Sequence, residues 1–265
     1  IADVLMSVPG IKGIFDRSDA ATRHREGLAE RVELLRGQEP PQEIEVVEDG
    51  VRYGVDVRKG HKTGFYIDQR ENRFLAQRLA REFKARTGRG MRALNCFCYT
   101  GGFSLALLAG GADEVISVDS SAEALSMAAR NAARNGFDDS KAKWVQADVF
   151  EYLRKAREAG ETFDLVILDP PKFASSHRHI DRAARAYKDI NLNGLRLVAP
   201  GGDLLTFSCS GAMDVDLFQK VIAGAVIDSK REAWMIARLG AGADHPLMMT
   251  CPEGEYLKGL QLTLR

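Results

Sequence analysis

Residues 92–119 read RALNCFCYTGGFSLALLAGGADEVISVD, which predicts a strand, a glycine turn, a helix and a second strand. The two strands are predicted at 92–98 and 114–119, and Phe103 begins the helix between them. A strand, a helix and a parallel second strand form a right-handed crossover unit. The two strands are therefore expected in one sheet.

The same alternation continues through the rest of the chain. Further strands are predicted at 142–147, 163–169, 203–209, 232–238 and 256–264. A helix is predicted over 122–135, where Ser120 and Glu123 have capping-box spacing and Gly136 can end the helix. Such alternation builds a sheet covered by helices on both faces. The predicted fold class is α/β, with a Rossmann-like, seven-stranded, mostly parallel sheet.

The N-terminal part of the chain has a different pattern. Runs 44–47 and 51–57 flank Glu48-Asp49-Gly50, and Asp-Gly between two alternating runs is a strong β-hairpin signal. We therefore predict a small α+β element with a hairpin over residues 1–70 and the sheet domain over residues 71–265. A helix predicted over 71–86 leads into the sheet domain, and its apolar residues have helical spacing: Phe74, Leu75, Leu79 and Phe83.

Composition excludes several protein classes. The 265 residues are 45% hydrophobic and 28% charged, which argues against disorder and collagen. No apolar run is long enough for a membrane helix and no signal peptide begins the chain, so we predict a cytoplasmic protein without a membrane partner. The chain starts at Ile1 without an initiator methionine, and an upstream segment is expected. Four cysteines without a CxxC pair predict reduced thiols and no metal site.

Charge is balanced overall but uneven along the chain. Lys+Arg and Asp+Glu each total 37, which removes a whole-molecule argument for binding nucleic acid. Residues 52–89, including Lys62, hold eleven basic side chains against four acidic ones, and residues 171–188 hold five against one. These segments are either solvated surfaces or a track for phosphates, with Phe65, Tyr66 and Phe173 nearby to stack a base.

The strand ends carry the candidate ligand-binding residues, because ligands of open α/β sheets bind beyond the carboxyl ends of the strands. The first strand is followed by Tyr99-Thr100-Gly101-Gly102-Phe103, whose paired glycines allow close backbone approach. This is not the GxGxxG that a dinucleotide pyrophosphate requires, and S-adenosylmethionine, which has no phosphate, tolerates a looser loop.

Three aspartates end successive strands. Asp119 is suitably placed to accept ribose hydroxyls, as both NAD and S-adenosylmethionine require, and Asp148 is suitably placed for an adenine amino group. Asp169 begins the turn Asp169-Pro170-Pro171-Lys172-Phe173, where two prolines remove backbone donors and stiffen the chain. Such a turn can hold the polar edge of a planar base. The alternative is that each aspartate is a helix cap or a surface residue.

The cysteines fall into two groups. Cys209, in the run TFSCSG, lies beside polar, flexible residues at the same predicted end of the sheet and is a candidate reactive thiol, although a core position is the alternative. Cys96, Cys98 and Cys251 are predicted to be core residues. His177 and His179 are predicted in an exposed loop without metal-ligand partners.

Several motifs together resemble the ribosomal RNA large subunit methyltransferase I family, which methylates a cytosine of 23S rRNA at C5. They are, in chain order, GHKTGFYIDQRENR, NCFCYTGGF, VDSS, QADVF, LDPPKF, RAYKDINLNGLRL, TFSCSG, ADHP and EYLKG. The resemblance covers nearly the whole chain from about Gly13. It implies a class I methyltransferase fold, S-adenosyl-L-methionine as cofactor and an N-terminal RNA-binding PUA domain, of which this sequence contains no recognisable segment.

The resemblance also implies residue roles. Cys209 would be the nucleophile and Asp169 its catalytic partner. The turn residues Pro170, Pro171, Lys172 and Phe173 would contact the target base. The cofactor pocket would comprise Gln69, Tyr99, Thr100, Gly101, Gly102, Phe103, Asp119, Ser120, Asp148, Val149 and Asp169.

The implied chemistry is covalent. Cytosine C5 is a poor nucleophile, so a thiolate must first add to C6. Related RNA cytosine methyltransferases carry a second cysteine after the fourth strand, where this chain has Pro170 and Pro171, so Asp169 or water remains as the final base.

Other functions stay open at this point. They are an RNA base N-methyltransferase acting on guanine or adenine, a nicotinamide-dependent dehydrogenase and a catalytically silent RNA-binding module. The expected partner is 23S rRNA or the assembling large ribosomal subunit, and a homodimer is one option for the oligomeric state.

Overall fold

The computed structural model describes most of the chain, namely residues 1–18, 22–60, 64–174 and 176–265. Residues 61–63 of the GHKTGFYIDQRENR motif lie outside the described residues, and Lys62 of the predicted basic segment is among them. The side chain of His177 also lies outside the description. Within the described ranges, no helix combines the length and apolar character that crossing a bilayer requires.

The chain divides into two compact units. One consists of Ile1–Val47 and Arg52–Tyr66, and the other of Glu48–Val51 and Ile67–Arg265. The elements of the N-terminal part are α1 (Ala2–Met6), β1 (Gly13–Ser18), α2 (Thr22–Arg25), β2 (Arg31–Gly37), β3 (Ile44–Glu48) and β4 (Val51–Val55). Strands β1 and β2 pair antiparallel.

The predicted hairpin is confirmed in strands β3 and β4, which form a two-stranded sheet. Its two-residue turn has φ of 45° at Asp49 and 80° at Gly50. Positive φ at both central residues is the tight hairpin geometry that Asp-Gly favours, because it matches the twist of the strands. Strand β4 ends at Val55, two residues before the predicted end at 57.

The second unit contains a sheet that has seven strands within the described residues, in the order β10-β11-β9-β8-β5-β6-β7. The strands are β5 (Arg92–Cys96), β6 (Glu114–Asp119), β7 (Ala142–Gln146), β8 (Phe163–Leu168), β9 (Val198–Ser208), β10 (Ala233–Gly240) and β11 (Lys258–Leu264). Strands β5 to β9 are parallel to their neighbours among themselves, and β11 runs antiparallel between β9 and β10. The predicted mostly parallel sheet is confirmed.

Helices connect these strands. They are α3 (Arg70–Thr87), α4 (Gly102–Ala109), α5 (Ala122–Arg134), α6 (Val149–Glu158), α7 (Ile180–Leu197) and α8 (Val215–Ser229). Short 3-10 turns occur at Ile67–Gln69, His177–His179 and Pro252–Gly254. Strand β8 is buried along its whole length, as expected for a central parallel strand.

The strand order places a ligand crevice at β5 and β8. Strands β6 and β7 lie on one side of β5, and β8 and β9 lie on the other. Strand order therefore reverses between β5 and β8, and this is the point where open α/β sheets bind ligands.

The predicted cap of helix α5 differs from the structure. Ser121, and not Ser120, caps helix α5, with its hydroxyl accepting from Ala124 N at 3.2 Å. Glu123 therefore falls one position short of closing a capping box.

Helix α3 forms where it is predicted but buries a different face. Its buried residues are Asn72, Arg73, Ala76, Gln77 and Ala80, whereas Phe74, Leu75, Leu79 and Phe83 are half-buried. The small alanines let α3 approach the end of α4 closely: a Cβ added to Gly110 would lie 2.3 Å from Gln77 O and 2.8 Å from Ala80 Cβ. Backbone proximity, rather than apolar side-chain size, decides the buried face.

Candidate active site

The loop after β5 has a constrained backbone. Phe97, Tyr99 and Gly101 have φ of 60°, 48° and 83°, in the left-handed region. This conformation costs non-glycine residues about 1 kcal/mol each, so the loop is held by its surroundings. A Cβ at Gly101 would lie 3.1 Å from both Ala128 Cβ and Trp144 Cη2, which leaves little room for any other residue. Strand β5 ends at Cys96 rather than at 98 because Phe97 already leaves the extended conformation.

Helix α4 begins directly at this loop. Gly101 is its N-cap, and Thr100 and Phe103 are buried on either side. The Phe103 ring stacks on Phe207 with a centroid distance of 5.7 Å. A Cβ at Gly102 would lie 3.1 Å from Arg73 Cδ. The paired glycines are thus enclosed by packed side chains.

Asp119, at the end of β6, ties two loops together. Its Oδ2 accepts from Tyr99 N and its Oδ1 from Ser121 N, each at 2.9 Å. A carboxylate oxygen has two acceptor positions, so each retains capacity for a further donor such as a hydroxyl. The half-buried carboxylate is therefore oriented by backbone amides beside the glycine loop.

Asp148, at the end of β7, caps a helix. Its Oδ1 accepts from Glu151 N at 3.0 Å, and the side chain is exposed at the start of α6. The cap interpretation that the sequence left open holds for this residue, and a cap can still present its second oxygen to a ligand. Val149 beside it is buried, whereas Ser120 is exposed.

Asp169 is anchored from a distant part of the chain. Gln69 donates from Nε2 to Asp169 Oδ1 at 2.9 Å. Gln69 is buried, and its Oε1 accepts from Asn72 Nδ2 at 2.6 Å, which fixes the orientation of the amide. Asp169 N lies 3.5 Å from Cys96 O, so the turn is also linked to the end of β5. The carboxylate is therefore held at the point where strand order reverses.

Cys209 lies against the same turn. Its Sγ is 3.8 Å from Pro170 O, and the residue is partly exposed. Its neighbours Ser208 and Ser210 are fully buried. Because successive residues of an extended segment face opposite sides, burial of both serines turns the cysteine away from the core.

Tyr187 holds both serines in place. Ser208 Oγ donates to Tyr187 Oη at 2.9 Å, and Tyr187 Oη and Ser210 Oγ are 3.1 Å apart. Ser210 Oγ also accepts from Ala174 N at 3.3 Å, which joins the segment to the proline turn. Burial raises the pKa of Tyr187, and the two serine hydrogen bonds oppose this shift. The network orients the segment that carries Cys209.

The other cysteines differ from Cys209. Cys96 and Cys98 are buried, at 0% and 5% exposure, which confirms them as core residues. Burial raises the pKa of both thiols, and the Asp119 charge adds to the effect at Cys98. The core prediction for Cys251 is wrong: it is exposed, because it lies in the loop between β10 and β11.

The predicted base-contacting residues have mixed surroundings. Pro171 and Lys172 are exposed, whereas Pro170 is buried. Phe173 is half-buried in an aromatic cluster, with ring centroids 4.8 Å from Tyr187 and 6.2 Å from Phe97. Phe173 therefore supports the turn through its own packing.

The predicted phosphate track is smaller than the charge count suggests. Arg73 is 4% exposed and pairs with Glu48 at 2.7 Å, so it belongs to the interior. Arg52 and Arg58 pair with Glu45 and Glu39, respectively. Phe65, predicted to stack a base, is buried against Tyr53 at 5.0 Å. Exposed basic side chains remain on α3 and after the proline turn: Arg78, Arg81, Lys84, Arg86, Lys172, Arg178, Arg182 and Arg185.

Sequence reasoning missed three residues near the site. Tyr187 and Lys258 both contact the segment around Cys209, and Tyr256 donates to Asp68 at 2.6 Å beside Gln69. All three stand in motifs that the resemblance uses, but nothing in the type or spacing of a tyrosine or lysine indicates such a contact.

The residues present fit S-adenosylmethionine. The left-handed glycine loop offers close backbone approach without the glycine spacing that a pyrophosphate needs. Asp119 is an oriented acceptor for hydroxyl groups, and carboxylates beside the loop favour a ligand with positive charge.

Comparison with known proteins agrees with this fit. The family model of S-adenosylmethionine-dependent methyltransferases matches residues 16–238. The chain therefore belongs to the S-adenosylmethionine-dependent methyltransferase family, and the predicted cofactor and class I methyltransferase fold are confirmed at the level of that family.

Curated relatives point to a particular branch. The chain is 51% identical over 248 residues to ribosomal RNA large subunit methyltransferase I of Tolumonas auensis, covering 93% of this chain and 60% of the relative. It is 50% identical over 246 residues to the protein of the same name from Photobacterium profundum, with the same coverages. The chain thus spans about three fifths of the length of these relatives.

Solved structures share the fold. A putative SAM-dependent methyltransferase from Streptococcus mutans is 27% identical with a TM-score of 0.75, over 88% of this chain and 58% of that one. A putative methyltransferase complexed with SAH is 26% identical with a TM-score of 0.76 and the same coverages. A tRNA m1G37 methyltransferase from M. jannaschii, 20% identical with a TM-score of 0.59 over 100% of this chain and 66% of that one, shows the fold alone.

Proposed function

We propose that this chain provides the catalytic part of an enzyme that methylates C5 of a cytosine in 23S ribosomal RNA. The relatives that share about half of its residues are named ribosomal RNA large subunit methyltransferases. The observation that carries the choice of C5 is the partly exposed thiol of Cys209, 3.8 Å from Pro170 O. A methyltransferase acting on an amine has no use for a nucleophile at this place.

The residues that would hold S-adenosylmethionine follow the ends of β5 to β8. The glycine loop from Tyr99 to Phe103 would pack on the nucleoside, and Asp119 with Ser120 would accept the ribose hydroxyls. Asp148 and Val149 would contact the adenine, and Gln69 with Asp169 would border the methionine end. When bound, the cofactor supplies an electrophilic methyl group.

Cys209 would perform nucleophilic catalysis. Its thiolate adds to C6 of the cytosine, which forms the Sγ–C6 bond and moves an electron pair onto C5. After C5 has gained the methyl group, a base removes the C5 proton and the Sγ–C6 bond breaks. The thiolate leaves and the aromatic ring is restored, so Cys209 is unchanged after each turnover.

Asp169 would orient the base during these steps. Because Gln69 donates to its Oδ1, the same contact directs the other oxygen, which in its protonated form can donate to the N3 acceptor of the cytosine. Pro170 and Pro171 remove amide donors that would compete for this edge. We assign removal of the C5 proton to Asp169 or to water.

RNA would be held by basic side chains around the site. The exposed residues of α3 and of the segment after the proline turn carry the local positive charge that phosphates require. Residues 1–70 are proposed to face the RNA, and the target base must be unstacked to reach Cys209, at a cost of a few kcal/mol. Either free 23S rRNA or the assembling large subunit is a suitable partner.

A trapping experiment tests the proposal. The enzyme is incubated with S-adenosylmethionine and RNA that contains 5-fluorocytosine. After methyl transfer, C5 carries fluorine in place of the proton that a base must remove, so Cys209 cannot be released. The enzyme is therefore expected to remain bonded to the RNA through denaturing electrophoresis. The Cys209→Ala variant should form no such complex, and the matched Cys98→Ala variant should form it. Methyl transfer without any trapped complex would instead favour N-methylation of guanine or adenine.

A further inference from the structure

Lys258 is a buried cation at the strand end that carries Cys209. It is the first residue of β11, and its Cα pairs with that of Ser208, one residue before the cysteine. Lys258 is only 5% exposed. Lysine is rarely buried unless its charge is compensated, so its position calls for a physical reason.

The side-chain hydrogen bonds of Lys258 are made to carbonyls just after Cys209. Its Nζ donates to Ser210 O at 2.8 Å and to Met213 O at 2.5 Å. In the described part of the chain, the ammonium forms no ion pair with a carboxylate. Two carbonyls satisfy hydrogen bonds but do not neutralise the charge. Among the described residues, the buried ammonium is therefore hydrogen-bonded but not directly paired with a carboxylate while Cys209 is a neutral thiol.

A thiolate at Cys209, one residue before Ser210, can supply negative charge close to this ammonium. Burial lowers the pKa of Lys258, and the interactions with Cys209, Asp214 and Glu255 raise it, while Lys172 lowers it. Among the groups that favour the charged lysine, Cys209 contributes most. A coulombic interaction is reciprocal, so an ammonium that gains from the thiolate also stabilises that thiolate.

We propose that Lys258 is a positioning residue that stabilises the thiolate of Cys209 and fixes the turn over residues 210–213. This inference rests on the proposed function, because a thiolate at position 209 matters only for covalent catalysis. When Cys209 ionises, the Sγ proton passes to solvent and the electron pair stays on sulfur beside the ammonium. Asp214 and Glu255 act against the thiolate, and Lys172 acts with Lys258.

Alkylation of Cys209 tests this inference without RNA or cofactor. Iodoacetamide reacts with the thiolate, forming an S–C bond and releasing iodide, so the rate follows the thiolate fraction. The rate is measured between pH 5 and 10 by mass spectrometry of the Cys209 peptide, in a Cys251→Ser background. Lys258→Met should raise the midpoint of the plot of Cys209 alkylation rate against pH by about one pH unit, which makes alkylation at pH 7 about tenfold slower.

Three further variants separate charge from structure. Lys258→Gln keeps a donor for a carbonyl without the charge and should behave like the Met variant, whereas Lys258→Arg keeps the charge and should restore much of the rate. Lys220→Met, which removes an exposed lysine paired with Asp216, should leave the profile unchanged. Far-UV circular dichroism establishes that each variant is folded.

Two results would overturn the inference. One is a folded Met or Gln variant with the wild-type alkylation profile. The other is a folded Lys258→Arg variant whose alkylation profile matches those of the Met and Gln variants, because the charge would then have no effect. Failure of the proposed function looks different, because it shows as methyl transfer that survives Cys209→Ala, whatever the alkylation profile.

Discussion

Cys98 and Cys209 occupy similar places in the chain, each just beyond a parallel strand, yet their surroundings are opposite. Cys98 is 5% exposed, and burial together with Asp119 raises the pKa of its thiol. Cys209 is partly exposed between two buried serines, beside Pro170 O and near the ammonium of Lys258. Position at a strand end is therefore not enough to make a cysteine reactive. The residues on either side decide which face it takes and which charge it meets.

The largest expected difference between the two cysteines is in methyl transfer. Cys209→Ala should lower the rate by about a thousandfold or more, because nothing else can add to C6. Cys98→Ala should retain most of the activity. The measurement is transfer of a labelled methyl group to 23S rRNA, with cofactor binding by calorimetry as the control for folding. Retained activity in Cys209→Ala would remove the nucleophile assignment.

The network that turns Cys209 outward can be tested through Tyr187. Tyr187→Phe leaves the hydroxyls of Ser208 and Ser210 without their shared partner in the core, which should cost about 2 kcal/mol in the free energy of unfolding. Urea denaturation measures this cost, and methyl transfer should fall as well. Tyr152→Phe is the matched control, since its hydroxyl has no hydrogen-bond partner in the described part of the chain. Equal stability of the two variants would show that the network contributes little.

The loop beside Cys98 should respond through cofactor affinity. Gly101 has φ of 83° and its Cβ position is crowded, so Gly101→Ala should destabilise the fold by about 1 kcal/mol and weaken S-adenosylmethionine binding about tenfold. Gly136→Ala has a similar backbone cost at φ of 66° but meets no atom within 4 Å. Calorimetry should therefore find weaker binding for the first variant alone. Equal losses of S-adenosylmethionine affinity in the two variants would show that the glycine loop has no specific role in binding the cofactor.

The smallest expected effect is the pH dependence that Cys98 gives to stability. The folded state raises the pKa of the Cys98 thiol above its value of about 8.5 in the unfolded chain. The contribution of this thiol to the free energy of unfolding is therefore complete below about pH 8.5 and is lost as the pH rises further. At pH 9.5 the loss should be about 1 kcal/mol. Urea unfolding at pH 7.5 and 9.5 should show a smaller alkaline loss in Cys98→Ala than in wild type. Cys251→Ala, which removes an exposed thiol, is the control. Its free energy of unfolding should fall between the two pH values by as much as that of wild type.

Much of the fold follows from local pattern. The hairpin turn at Asp49-Gly50 and the parallel strands β6 to β8 agree with their predicted positions, because turn residues and apolar runs act over short distances. Cap choice was less predictable: Ser120 and Ser121 are both competent caps, and the backbone path decides between them. The buried face of α3 could not be read from its apolar residues, because small residues allow the close approach to α4.

The candidate site shows the same division. Gln69 and Asp169 are 100 positions apart and meet through Nε2 and Oδ1, and the motifs around both residues were recognisable in the sequence. Nothing in the sequence alone gives a role to Lys258 or Tyr187, since their contacts to the Cys209 segment depend on how β11 and α7 pack against β9.

Local patterns in the amino-acid sequence are enough to predict the α/β class, the hairpin, the strand-end aspartates and the methyltransferase family, because periodicity, turn chemistry and motifs are local properties of the chain. The exposure of Cys209 and Cys251, the burial of Arg73 and the position of Lys258 beside the Cys209 segment are instead properties of the folded chain. Burial and electrostatic environment arise from residues far apart in the sequence, so they exist only once the sheet has formed.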